Sequence, residues 1–232
     1  MIKHVFLDLD NTILDFNKAE RGALSRTLAF LGLEPTEDVL ARYHIINQNQ
    51  WERLERGEAS REEILLKRFQ ILFDEYGIQV NAMDAKKIYE RELAIGHFFL
   101  PGAEKLLEDL GKDYDLYLAS NGTKIVQDGR IESAGIAGCF REIFISEELG
   151  YNKPSVEYFE KCFEKIPGLK KEECVIIGDS LSSDILGGLQ AGIHTLWYNP
   201  DKKEAGEKIQ PEIQVQSLSE IPEALKNLNR IK

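Results

Sequence analysis

The chain has 232 residues, of which 43% are hydrophobic and 30% charged, and its formal net charge is -11. This is ordinary soluble globular composition; so acidic a surface repels the backbone of a nucleic-acid polymer without excluding a small phosphorylated ligand in a locally positive pocket. The three cysteines, Cys139, Cys162 and Cys174, have no metal-type spacing and make no disulfide framework, and no stretch approaches roughly 20 uninterrupted apolar residues, so the expectation is a cytoplasmic protein with no membrane partner.

Residues 5–9 form a short apolar run ending in acids, which predicts a strand buried on both faces. From 16 to 98 the pattern changes to a long, charged, helical period with candidate helices at 18–31, 37–55, 60–76 and 84–97. Gly32, Gly57 and Gly77 punctuate them, and Ser60 followed by Glu63 has the capping-box spacing. Pro101-Gly102 marks a return to alternation. A helix at 103–110, strands at 116–119 and 143–145, and a helix at 155–165 with Val156, Phe159 and Phe163 on one face come next. A strand at 174–177 precedes a helix at 185–191 that stops at Gly192, and a strand at 195–198 follows. Residues 200–210 read as an exposed loop, 213–216 as a short last strand and 221–228 as a last helix. Strands alternating with helices imply parallel pairing through right-handed crossovers. The expected fold is therefore α/β, a doubly wound, mostly parallel sheet with a helical bundle inserted after the first strand. The core comprises 1–15 and 99–232, and the insertion 16–98.

Four segments carry candidate chemistry. The first strand runs into Asp8-Leu9-Asp10-Asn11-Thr12. In open α/β sheets ligands gather beyond the carboxyl ends of strands, where carboxylates at i and i+2 can converge on one cation or one reacting centre; two acids ending a strand in a turn are the plainer reading. Ser120-Asn121-Gly122 offers a hydroxyl, an amide and close backbone approach to a phosphoryl oxygen, and is also an ordinary turn. Lys153-Pro154 places one ammonium before a helix, with a surface lysine as the alternative. The segment 178–184, GDSLSSD, sets Asp179 where a strand-end carboxylate can join Asp8 around a metal. Asp184 there can hold the lysine or a metal's water shell, or simply favour the positive end of a helix.

In this order, each at a strand end or in the loop after it, the segments DLDNT, SNG, KP and GDSLSSD resemble the four motifs of the haloacid dehalogenase superfamily, with its Rossmann-like core. The insertion resembles that superfamily's cap of the first type. ISEELGYNKPSVEYF, GDSLSSDILGGLQAGIHTLWYN and NQNQWERLERGE resemble most closely its pyrimidine 5'-nucleotidase branch. The resemblance implies a phosphatase in which Asp8 attacks phosphorus to form an aspartyl-phosphate. Asp10 protonates the leaving oxygen and then deprotonates the hydrolytic water. It implies Mg2+ held by the Asp8 carboxylate, the Asp10 carbonyl and the Asp179 carboxylate, and phosphate oxygens held by Ser120, Asn121 and Lys153. Magnesium suits these motifs better than zinc because none contains His or Cys. Asp10 favours phosphoester chemistry over dehalogenation, since dehalogenases of the superfamily lack the second aspartate. Thr12 shapes the turn, and Asp184 is a supporting residue.

Trp51 suits stacking on a base, or packing on an amphipathic helix. Asn47 lies one helical turn before it, and Phe16 and Asn17 follow the first motif within reach of a substrate. The expected partner is a small phosphorylated substrate, a nucleoside 5'-monophosphate foremost. Sugar-phosphate or phosphoglycolate-type hydrolysis or phosphomutase activity stands behind it, and a non-catalytic phosphate-binding module further off.

Overall fold

Six apolar runs become strands: β1 (His4–Leu7), β2 (Asp115–Ser120), β3 (Glu142–Ile145), β4 (Cys174–Gly178), β5 (His194–Tyr198) and β6 (Ile213–Val215). The structure, a computed structural model, describes residues 1–229. The strands pair in parallel throughout, in the order β3-β2-β1-β4-β5-β6. The order reverses between β1 and β4, so a crevice opens beyond their carboxyl ends. In register, Leu7 faces Leu118 of β2 and Ile177 of β4, so the residues just after β1, β2 and β4 share one edge.

The chain divides into two compact units. The sheet unit comprises Met1–Asp15, Phe99–Lys124 and the chain from Gly135 onward. Its helices are α5 (Ala103–Asp113), α7 (Ser146–Leu149), α8 (Val156–Glu164), α9 (Leu186–Ala191) and α10 (Ile221–Leu228). Phe6, Tyr117 and Phe144 stack across three neighbouring strands, with ring centroids 5.1–6.2 Å apart, and Tyr158 and Phe159 of α8 cover them. Leu14 pairs with Phe99, and the Leu100 N–H donates to the Ile13 carbonyl at 3.0 Å, so the chain leaves and re-enters this unit at adjacent points.

Gly187 and Gly188 admit α9 against its neighbours. A Cβ on Gly187 would lie 2.7 Å from Phe159 Cε2, and one on Gly188 would meet Ile176 Cγ2 and, at 2.8 Å, Thr195 Cγ2. Both partners of Gly188 are β-branched side chains held stiff inside the sheet. Gly188→Ala is therefore expected to destabilise by about 1–3 kcal/mol despite alanine's better helix propensity, lowering the thermal midpoint by several degrees. A midpoint equal to the wild type's would show that the sheet yields at this point.

The helical unit comprises Phe16–Phe98 and, beyond the expected segment, Ile125–Ala134. It contains α1 (Phe16–Phe30), α2 (Glu37–Glu55), α3 (Arg61–Tyr76), α4 (Ala82–Ala94) and all but the first residue of α6 (Lys124–Ala134). Ser60 caps α3 by accepting from the Glu63 N–H at 3.2 Å. The fourth helix begins and ends earlier than its apolar period predicts, because Asn81 accepts from the Met83 N–H at 2.8 Å and starts it there. Tyr43, Phe69 and Tyr89 meet at 5.2–5.5 Å in the core of this unit. Among the described residues no helix is long and apolar enough to cross a membrane.

Candidate active site

Strand β1 stops at Leu7, two residues short of its apolar run, because the chain turns sharply. The N–H groups of Ile13 and Leu14 both donate to the Leu9 carbonyl, at 3.0 and 2.9 Å, and Asn11 adopts a left-handed conformation with φ 57°. Asparagine tolerates that region better than most residues. Asp8 keeps the ladder for one more step, its N–H donating to the Ile177 carbonyl at 2.9 Å, and its carboxylate is buried at the carboxyl edge of the sheet. Asp10 follows, half-buried, and Thr12 is fully buried with no hydrogen-bond partner for its hydroxyl among the described residues.

Lys153 reaches this point from the segment after β3 and is 1% exposed. Its ammonium donates to Asp8 Oδ1 at 2.7 Å, Asp184 Oδ1 at 2.6 Å and the Ala119 carbonyl at 2.6 Å. These are all three of its N–H donors. The lysine is thus no surface group, and any phosphate it contacts must share a donor with one of these acceptors. Its backbone is clamped by Asn121, whose Oδ1 accepts from the Lys153 N–H at 2.8 Å and whose Nδ2 donates to the Lys153 carbonyl at 2.9 Å. Pro154 lies before the helix rather than in its first turn: Ser155 is the cap, accepting from the Tyr158 N–H at 3.2 Å. Ser120 ends β2 buried, and its Oγ accepts from the Gly122 N–H at 3.1 Å.

After β4, residues 181–185 form one π-helical turn. Ser180 caps it, accepting from the Ser183 N–H at 3.2 Å. Asp184 points inward to Lys153, and its Oδ2 accepts from the Ser180 N–H at 3.1 Å. Gly178 makes this possible, since any Cβ there would collide with the Asp184 carboxylate. The Asp179 carbonyl is fixed by the indole of Trp197, which donates to it at 2.8 Å.

Carboxylate oxygens of Asp8, Asp179 and Asp184 lie within 4.8 Å of one another. Burial, with repulsion from Asp184 and Asp10, pushes the Asp8 carboxyl up to about 7 against the pull of Lys153. Burial and the charges of Asp8 and Asp184 also raise Asp179 well above the carboxylate range. Burial alone would lower Lys153, but Asp184 and Asp8 more than offset it and hold the ammonium charged. Three acids against one lysine leave a site in want of positive charge, and an all-oxygen donor set of this spacing suits a hard divalent cation such as Mg2+.

The four residues nominated for substrate contact all belong to the helical unit. Asn47 is buried: its Nδ2 donates to Glu20 Oε1 at 2.6 Å and its Oδ1 accepts from Arg68 at 2.9 Å. Trp51 packs half-buried against Leu54, Ile64 and Leu65, with the Arg61 guanidinium 5.6 Å from its ring centre. Phe16 and Asn17 open α1, Phe16 half-buried and Asn17 exposed. Glu20, which the sequence did not single out, is buried and organises this region, accepting also from His44 Nδ1 at 2.5 Å.

That hydrogen bond to Glu20 raises the imidazole of half-buried His44 above its ordinary 6.5. A raised folded value means that the pair's contribution is complete below the unfolded value and is lost as pH rises through the folded one. The stability gap between the wild type and His44→Gln, read as urea midpoints, is therefore expected to shrink from about pH 6 to about pH 9. A gap that stays constant or widens would contradict the ion pair.

The parallel α/β fold and the acids clustered at its carboxyl edge define a ligand-binding centre, and comparison with known proteins gives its family. The model for haloacid dehalogenase-like hydrolases matches residues 2–192. The chain belongs to that family. It is 39% identical over 217 residues to the HAD-hydrolase YfnB of Bacillus subtilis (strain 168), covering 94% of this chain and 92% of that protein. A magnesium-bound crystal structure of YfnB superposes with a TM-score of 0.92 over 97% of this chain and 98% of that one, at 38% identity. The pyrimidine 5'-nucleotidase PynA of Streptococcus pneumoniae (strain ATCC BAA-255 / R6) is 38% identical over 224 residues, 96% of this chain and 94% of that protein.

Proposed function

We propose that this chain is a magnesium-dependent phosphomonoester hydrolase acting on nucleoside 5'-monophosphates through an aspartyl-phosphate on Asp8. What carries the reading is the buried Asp8 carboxylate at the edge of the central strand, oriented by Lys153 and grouped with Asp179 and Asp184. A carboxylate is a weak nucleophile and needs fixed geometry and nearby positive charge to approach a phosphate. The carboxylate oxygen of Asp8 forms a bond to phosphorus as the ester P–O bond breaks, and Asp10 gives its proton to the departing alkoxide. Water then attacks the same phosphorus, its proton passes to Asp10, and the acyl-phosphate P–O bond breaks to release orthophosphate and restore Asp8. Asp8, Asp179 and the Asp10 carbonyl would hold Mg2+, which when bound neutralises charge on the phosphoryl oxygens. Ser120 and Asn121 would bind those oxygens.

The name of PynA supports a nucleotide as substrate. Phe16, Asn17 and Trp51 are the side chains we assign to the nucleoside. Asn47, its amide engaged by Glu20 and Arg68, acts on them only through the packing of the helical unit. The domain arrangement we infer is a catalytic sheet unit with the helical unit as its cap.

The test is phosphate release from a panel of esters in Mg2+: ribo- and deoxynucleoside 5'-monophosphates of both base classes beside sugar phosphates and phosphoglycolate. Nucleotides are expected to be hydrolysed fastest, and chelation of the metal to stop all release. Release confined to sugar phosphates would sink the nucleotidase reading, and no release from any ester would sink the hydrolase reading.

A further inference from the structure

We propose that Gly129 and Arg130 of α6 are positioning residues that couple the phosphate-binding turn, residues 120–123, to the helical unit. The inference rests on the reading of Ser120 and Asn121 as phosphate ligands. Only three residues, 121–123, separate the end of β2 from the start of α6. The turn is pinned in the sheet unit by the two Asn121 bonds to the Lys153 backbone and by the Lys124 N–H, which donates to Glu147 Oε2 at 2.6 Å. From Ile125 onward the same helix belongs to the other unit. A helix of 11 residues is about 16 Å long and transmits a displacement at one end to the other.

Its seat in the helical unit is close and specific. Val126 enters that unit's core cluster. A Cβ on Gly129 would lie 2.8 Å from the Ala94 carbonyl oxygen and 2.9 Å from Ala94 Cβ, so backbone meets backbone at the end of α4. Arg130 is fully buried; its Nε donates to the Gly96 carbonyl at 3.0 Å, NH1 donates to Gln127 Oε1 at 3.0 Å, and its guanidinium lies 5.6 Å from the ring centre of Phe16. Gly96 in turn abuts α1, where its own Cβ would sit 3.0 Å from Ala19 Cβ. α6 thus grips Phe16, where the chain first enters the helical unit, and residues 94–96, shortly before it first leaves at Phe98. A glycine inside a helix weakens it, so Gly129 costs α6 helix propensity and gains the close approach to Ala94. That seat, with the Arg130 bond to Gly96, is what ties the turn at 120–123 to the helical unit.

Coupling is reciprocal: if phosphate at the turn alters the seat of α6, altering the seat must alter phosphate affinity by the same factor. The experiment is hydrogen exchange on the full chain in Mg2+, with and without orthophosphate, beside orthophosphate titrations of the wild type, Gly129→Ala and Arg130→Met. In the wild type, orthophosphate is expected to slow exchange both at 120–124 and at 94–98 and 126–134. In either variant orthophosphate binding is expected to weaken between about twofold and thirtyfold, with the distant protection lost and that at 120–124 kept at saturation. Adding Ala94→Gly to Gly129→Ala, which removes the methyl at 2.9 Å and leaves the carbonyl contact at 2.8 Å, is expected to recover part of the affinity. Wild-type protection confined to 120–124 would overturn the coupling while leaving the phosphate site standing, and so would variants that bind orthophosphate like the wild type. No protection at 120–124 would remove the phosphate site itself, and the coupling with it. The wild-type comparison decides the question even where a variant fails to fold.

Discussion

Asp8→Asn is expected to lower phosphate release by roughly four to six orders of magnitude while leaving the fold intact. The two halves of this expectation have separate causes. An amide oxygen cannot carry the phosphoryl group through the cycle, so the chemistry fails. The same oxygen can still accept from the Lys153 ammonium that now reaches Asp8 Oδ1 at 2.7 Å. The variant also removes one of three acids from a cluster that holds a single lysine, and Asp184 remains as the ammonium's carboxylate partner at 2.6 Å. The measurement is single-turnover hydrolysis with the phosphoryl group labelled, quenched in acid. The wild type is expected to retain acid-stable label on the protein and the variant none, with unchanged thermal midpoints. Turnover within about tenfold of the wild type would reassign the nucleophile.

The sheet and three edge positions are legible in the sequence because β1, β2 and β4 are short, buried apolar runs whose endings are marked by polar residues. Asp8, Ser120 and Asp179 therefore fall at one edge from the sequence pattern alone. Lys153 was legible only as a cation near a helix. Its burial depends on Asp8, Ala119 and Asp184, which are 145, 34 and 31 residues away, and no local pattern encodes such a meeting. Asn47 shows the same limit. Its spacing from Trp51 suggested a shared face, but Glu20 and Arg68, 27 and 21 residues distant, draw its amide inside. Helix α6 was missed altogether. Gly129 interrupts it, Ile125 is 71% exposed, and its apolar stripe is correspondingly weak. Its stability comes from Ala94, Gly96 and Phe16, contacts that only the folded chain supplies.

The same lysine carries the largest expected effect on stability. Lys153→Met keeps the aliphatic stem and deletes an ammonium bonded to three acceptors, leaving Asp8 and Asp184 buried beside Asp179 with no cation among their side chains. Removing one partner of a buried ion pair costs about 3–5 kcal/mol, because the remaining charge stays desolvated. For a chain of this length that corresponds to a fall of roughly 6–20 °C in the thermal midpoint, and hydrolysis should fall with it as Asp8 loses its orientation. A merely space-filling lysine would lose far less, since methionine fills nearly the same volume. The second variant that separates these cases is Asp184→Asn. Alone it unbalances Lys153. Combined with Lys153→Met it removes the stranded carboxylate while preserving an acceptor for the Ser180 N–H, now held at 3.1 Å. The double variant should therefore be more stable than the sum of the single losses by about 0.5–3 kcal/mol. Additive losses in chemical denaturation would mean that the two side chains do not stabilise each other, and the charge-balance account of the site would fail at its centre.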